Sequence, residues 1–147
     1  MIVDLVPCED AHAQERAIME TLLESAEPAQ LWIADRNFST RAILTGWQHR
    51  GSAFIVREHG RNPCPSELEP AREVGRVEAG IVYEQAVSIL DESNTPLMLR
   101  PIELHLDRAT EAGDTVVRLL TNVPAAHLTA DAVARLYRRR WSIGVSR

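Results

Sequence analysis

Asp35 is the acidic side chain best placed to do chemistry. It follows the apolar run Leu31 to Ala34 (LWIA) and precedes Arg36, Asn37 and a helical pattern. A buried strand that stops at an acid sets the carboxylate at the carboxyl edge of a sheet, where open α/β sheets collect ligands and metal ions. The same residue could instead cap the next helix or pair with Arg36 or Arg41. A second group is Tyr137 among Arg135, Arg138, Arg139 and Arg140. A guanidinium fork matches phosphate bidentately, so such a cluster suits a polyanion. On helical spacing alone, Tyr137 belongs to the buried face and Arg140 rests its stem against it.

Other chemistry is excluded or left without support. There is no G-x-G-x-x-G, Walker A loop, G-x-S-x-G, H-E-x-x-H or EF-hand loop, so the commoner nucleotide, hydrolase and metalloprotease signatures are missing. His12, His49, His59, His105 and His127 have no spacing that assembles a metal site locally. Cys8 and Cys64 make no C-x-x-C pair, which argues against a disulfide framework or a Cys-rich zinc site.

The elements that must position these residues follow from periodicity. Ile2 to Pro7 reads as a strand, and Ala11 to Ala26 as an amphipathic helix with Ile18, Leu22 and Ala26 on one face. Leu31 to Ala34 is the second strand. Ser39 or Asn37 then caps a helix running to about Arg50, with Ile43 and Trp47 on its buried face and Gly51 just beyond it. Ala53 to Val56 completes a β-α-β-α-β pattern, which predicts parallel strands with right-handed crossovers. After a loop over His59 to Pro70 come four strand-like runs, Val74 to Val77, Ile81 to Leu90, Leu97 to Leu106 and Val116 to Thr121, read as an antiparallel meander. Pro101 implies an edge strand or a break. Thr129 to Trp141 is a helix with Val133, Leu136, Tyr137 and Trp141 on one face.

A chain of 147 residues fits one domain able to bury a real core. Its net charge of −5 argues against a dedicated nucleic-acid module. The distribution is uneven: residues 1 to 34 carry seven carboxylates against Arg16, while 135 to 147 carry five arginines and no acid. Any polyanion should therefore meet the second of these stretches. Apolar runs are far shorter than the roughly 20 residues of a spanning helix, and Ile-Val-Asp after Met1 is no signal peptide. The expectation is a cytoplasmic protein with no membrane association.

Four stretches taken together carry a resemblance: Cys8 to Ala17, LWIADRNF at Leu31 to Phe38, RLLTNVP at Arg118 to Pro124, and Tyr137 to Ile143. They resemble the DDE transposases of the bacterial insertion-sequence-four group over nearly the whole chain. The resemblance implies an α/β, ribonuclease H-like fold with an inserted antiparallel β subdomain, the core at 1–58 and 126–147 and the insertion at 60–125. It implies two divalent metal ions, magnesium or manganese, held by three carboxylates during cleavage and joining of transposon-end DNA. Asp35 matches the second family aspartate, a catalytic metal ligand. Tyr137 and Arg140 match the tyrosine and arginine of the helix signature, with Arg36, Arg138 and Arg139 as further DNA contacts.

The departures shape the functional expectation. The signature glutamate falls at Gly144, which cannot ligate a metal. Matching Ile2 to Pro7 to the third core strand puts the first strand and its aspartate upstream of Met1, and leaves Asp4 on the wrong strand. The chain therefore reads as a transposase truncated at both ends, inactive alone and without tight metal binding, or else as a modulator of DNA or full-length transposase, or a remnant. Ile2 to Val6 should either slide in beside Leu31 to Ala34 or leave an open edge and a poorly soluble chain.

Overall fold

The computed structural model describes residues 2–5, 31–58, 63 and 65–141, with backbone alone at 2–5, 36, 140 and 141. The expected helix over Ala11 to Ala26, Cys64 and Gly144 lie outside the described residues. Strand β1 (Ile2–Leu5) pairs in parallel with β2 (Leu31–Ala34), Ile2 opposite Leu31. This is the first of the two outcomes expected for that segment. β2 pairs in parallel with β3 (Ala53–Arg57), and the connection between them is a 3₁₀ turn at Arg36–Phe38 followed by helix α1 (Arg41–His49).

The cap of α1 differs from expectation. Thr40 is the N-cap, its hydroxyl accepting from the Ile43 amide at 3.3 Å. Asn37 is already committed to the 3₁₀ turn and Ser39 is buried, which leaves Thr40 as the first extended residue with a hydroxyl free to cap. Past the other end, Gly51 sits at φ 74°, the left-handed geometry expected after a helix C-cap.

The remaining strands are β4 (Ser66–Glu67), β5 (Arg72–Val77), β6 (Gly80–Glu84), β7 (Val87–Leu90), β8 (Pro96–Leu106) and β9 (Val116–Thr121). β9 returns antiparallel to β3, so the parallel and antiparallel strands share one sheet of order β1-β2-β3-β9-β8-β6-β5. β4 and β7 lie off this path, with β7 on β8.

Pro101 lies in the long central strand rather than at an edge. It is tolerated because β8 changes partner there: residues 102–106 pair with β6 and 96–99 with β7. The break falls in the neighbour, at Gln85 and Ala86, where the Gln85 amide donates to the Pro101 carbonyl at 3.1 Å. The missing proline N–H thus meets a gap in the ladder. Gly80 permits a close approach of two strands: a Cβ there would overlap the His105 carbonyl oxygen.

Alternation along β2 and β3 sorts their side chains into two buried layers, as strands covered on both faces require. Trp32, Ala34, Phe54 and Val56 join Ile43, Leu44 and Trp47 of α1 on one face. On the other, Ile33 and Ile55 join Val82, Ile102, Leu104 and Leu119 beneath helix α2 (Ala130–Trp141), which contributes Val133, Ala134 and Tyr137. α2 packs chiefly on β5, β6 and β8. Its approach segment is pinned by Arg100, whose guanidinium donates to the Val123 and Leu128 carbonyls and to Glu84. Among the described residues no helix is long and apolar enough to cross a membrane.

Candidate functional site

Asp35 stands one residue past β2, half-buried. Its Oδ1 accepts the Asn37 amide at 3.0 Å and its Oδ2 the Asn37 side-chain amide at 3.4 Å. An Asx turn of this kind shapes the 3₁₀ segment and holds the carboxylate at the strand end, so the capping and site readings of this residue are compatible. Asp4 stands in register with Ile33 on the adjacent strand, two residues short of Asp35 along the sheet. Its strand therefore borders the one that ends at Asp35, a pairing that strand matching alone did not provide.

Strand directions determine what shares this edge. β2, β3, β8 and β5 run one way and β9 and β6 the other, so Asp35, Glu58 after β3 and the turn at Glu78 and Ala79 after β5 leave the sheet at the same end. β5 lies five strands from β2. At about 4.8 Å per strand that is roughly 24 Å.

Between these points sits Arg118, on β9. Its Nε meets Glu58 at 2.8 Å, and its Nη1 meets Glu103 at 2.6 Å and the Gln85 side-chain oxygen at 3.0 Å. Burial raises the Glu58 carboxyl above its ordinary 4.5 despite the Arg118 charge. Burial also pushes Glu103 upward, but hydrogen bonds from His105 and Arg118 outweigh it and leave that carboxyl below its ordinary value. The two acids on one guanidinium therefore have opposite linkage. Glu58 favours the folded state below its ordinary pKa, and that contribution is lost as pH rises through the raised value. Glu103 favours it above its ordinary pKa, and that contribution is lost as pH falls through the lowered one. In urea titrations of wild type and variants from pH 3 to 7, Glu58→Gln should gain on wild type as pH rises, and Glu103→Gln should lose ground. Parallel pH profiles for the two variants would contradict this assignment.

The helix arginines divide in the structure. Arg138 and Arg139 line, with Arg135 and Glu78, an open cleft of about 360 Å³. Arg135 pairs with Asp131 at 2.8 Å, and Arg135 and Arg138 face Glu78 at 3.7 and 3.8 Å. Tyr137 is turned the other way and is 2% exposed, which places its ring in the core under α2, as its helical spacing indicated. The backbones of Arg36 and Arg140 lie in the 3₁₀ turn and in α2, and their side chains are outside the described residues. The one participant that sequence reasoning missed is Glu78. It lies in a tight turn between two strands, and nothing local in the sequence ties it to a helix that begins at Ala130.

His49 and His105 have structural partners: His49 meets Asp91 at 3.0 Å, and His105 meets Glu103 at 3.0 Å with its ring against Tyr83. Among the described residues no group of three or more His, Cys, Asp or Glu could hold a metal ion. Asp35 alone does not fit the two-metal arrangement, and no catalytic step through a metal follows from these side chains.

The model of one protein family, described as transposase DDE domain, matches residues 1–143. No curated protein matches the chain.

Proposed function

With nearly its whole length matched, the chain belongs to the transposase DDE domain family, and we propose from that premise that it is part of a catalytic domain that handles DNA phosphodiesters during transposition. We place it in the insertion-sequence-four group, with a ribonuclease H-like core at 1–58 and 126–147 and a β insertion at 60–125. The observation that carries the reading is Asp35 at the carboxyl edge of the parallel pair β2 and β3, where an acid can face a ligand while its own turn fixes it.

In this reading the chain supplies one carboxylate, Asp35, and a set of guanidinium groups for the DNA backbone: Arg36, Arg138, Arg139 and Arg140. Tyr137 fastens the helix that presents the last three to the sheet. Magnesium or manganese is the cofactor of the intact family and is not held tightly by this chain; transposon-end DNA and a full-length transposase are the proposed partners. Because Gly144 stands where the helix signature places glutamate, the chain by itself does not cleave DNA.

The test is a nicking and strand-transfer assay on transposon-end duplexes with magnesium or manganese. The expected result is no product from the wild-type chain and none from Asp35→Asn. Product formed by the wild type and abolished by Asp35→Asn would overturn the inactive assignment and make Asp35 part of a working site. A second reading, favoured by the arginine cleft on α2, makes the chain a non-catalytic modulator that holds DNA or the complete enzyme. Co-purification with the complete enzyme, retained in Asp35→Asn, would select it.

A further inference from the structure

We propose that the cleft between α2 and the β5–β6 turn is a second phosphodiester-binding point on duplex DNA, with Glu78 as its built-in competitor. The proposal rests on the DNA reading above. The cleft brings three guanidinium groups, Arg135, Arg138 and Arg139, around one carboxylate on a chain whose net charge is −5. Local charge at this point thus runs against that of the whole.

Glu78 answers that charge without satisfying it. Its oxygens lie 3.7 Å from the Arg135 Nε and 3.8 Å from an Arg138 terminal nitrogen, beyond hydrogen-bond length. The Arg138 Nε is buried and has no hydrogen-bond partner among the described residues. Arg135 also serves Asp131, so Arg138 is the less committed of the two. Glu78 itself is 73% exposed on a two-residue turn and can swing away at little cost. A phosphodiester, whose two non-bridging oxygens share a negative charge and whose position is not fixed by the β5–β6 turn, can seat between the forks where Glu78 only approaches them.

Placement favours DNA as the occupant. Asp35 and the turn at Glu78 both follow strands that run the same way, but Ala34 is level with Pro101 and Val77 with Leu106, so five strand spacings across and five residues along the sheet set them roughly 29 Å apart. A duplex covers that separation in about nine base pairs at roughly 3.4 Å each, so in this proposal the cleft holds the backbone at a distance while Asp35 lies toward the point of chemistry.

The experiment is fluorescence anisotropy of a labelled duplex two helical turns long, titrated with the whole chain at salt from about 50 to 200 mM. Glu78→Gln should bind threefold or more tightly than wild type, a gain that misfolding cannot produce. Arg138→Gln, checked by circular dichroism for an unchanged fold, should bind more weakly and flatten the slope of log affinity against log salt by about 0.9. Wild-type binding with Glu78→Gln no tighter and the Arg138→Gln slope unchanged would overturn the cleft while leaving DNA binding in place. No binding by wild type or Glu78→Gln at the lowest salt would overturn the DNA reading and the cleft with it.

Discussion

Replacing Arg100 with methionine should lower the free energy of unfolding by about 3 kcal/mol, read from the urea midpoint at constant slope. The guanidinium is 15% exposed and meets Glu84, 14% exposed, at 2.7 Å. The same head group donates to the Val123 and Leu128 carbonyls, so it ties β8 to the segment that delivers α2. Methionine fills much of the volume but leaves those carbonyls short of a donor and Glu84, among the described residues, with only Arg72, a half-exposed partner at 3.3 Å. The cost is mainly that of a partly buried carboxylate left underpaired, not of the attraction itself. Two further variants isolate the cause. Arg100→Met with Glu84→Met should recover a large part of the loss, since both charges are then removed. Arg100→Lys should recover less, because an ammonium lacks the planar fork that spans a carboxylate and two carbonyls. A loss of less than about 1 kcal/mol in Arg100→Met would show that water replaces the guanidinium freely.

Trp47→Ala should cost still more, about 4 kcal/mol. Trp47 is fully buried on α1, stacked on Trp32 with ring centroids 5.5 Å apart and planes 15° from parallel, and tilted against Phe54 at 5.9 Å. Alanine would remove the side chain that joins the helix to both parallel strands, leaving a cavity too well framed to collapse. Trp47→Phe keeps a ring in the stack and should lose roughly half as much. Matched urea titrations decide it: equal losses for phenylalanine and alanine would show that the ring stack contributes nothing beyond volume. The effect also bears on the site, because α1 follows directly from the turn that holds Asp35.

Much of this was legible beforehand where one local rule acts alone. The period of Val133 and Tyr137 marks α2 and its inner face, and LWIA followed by an acid marks β2 and its exposed end. The misreadings occur where partners far apart in sequence decide. Pro101 read locally implies an edge strand or a break, yet β8 is central, and the break falls at Gln85 and Ala86 in the opposite strand. For the same reason Ile81 to Leu90 read as one strand and is two. The α1 cap was one to three residues off because Asp35 had already engaged Asn37. In the site, Asp35 could be found from its position after a strand. Glu78 could not, since its relation to Arg135 and Arg138 exists only once β5 and α2 are packed together.

β5 has a consequence for how copies of this chain meet. It is the last strand in the sheet order, so among the described residues its outer row of amides and carbonyls has no neighbouring strand. A flat apolar strand there would template pairing with another molecule. Instead Arg72, Glu73 and Arg76 stand along it, and the register shifts between Glu73 and Gly75, which twists the strand out of line for an incoming partner. A basic cleft beside a strand that resists self-association can stay open to a ligand at concentrations where an unguarded sheet would already have found another copy of itself.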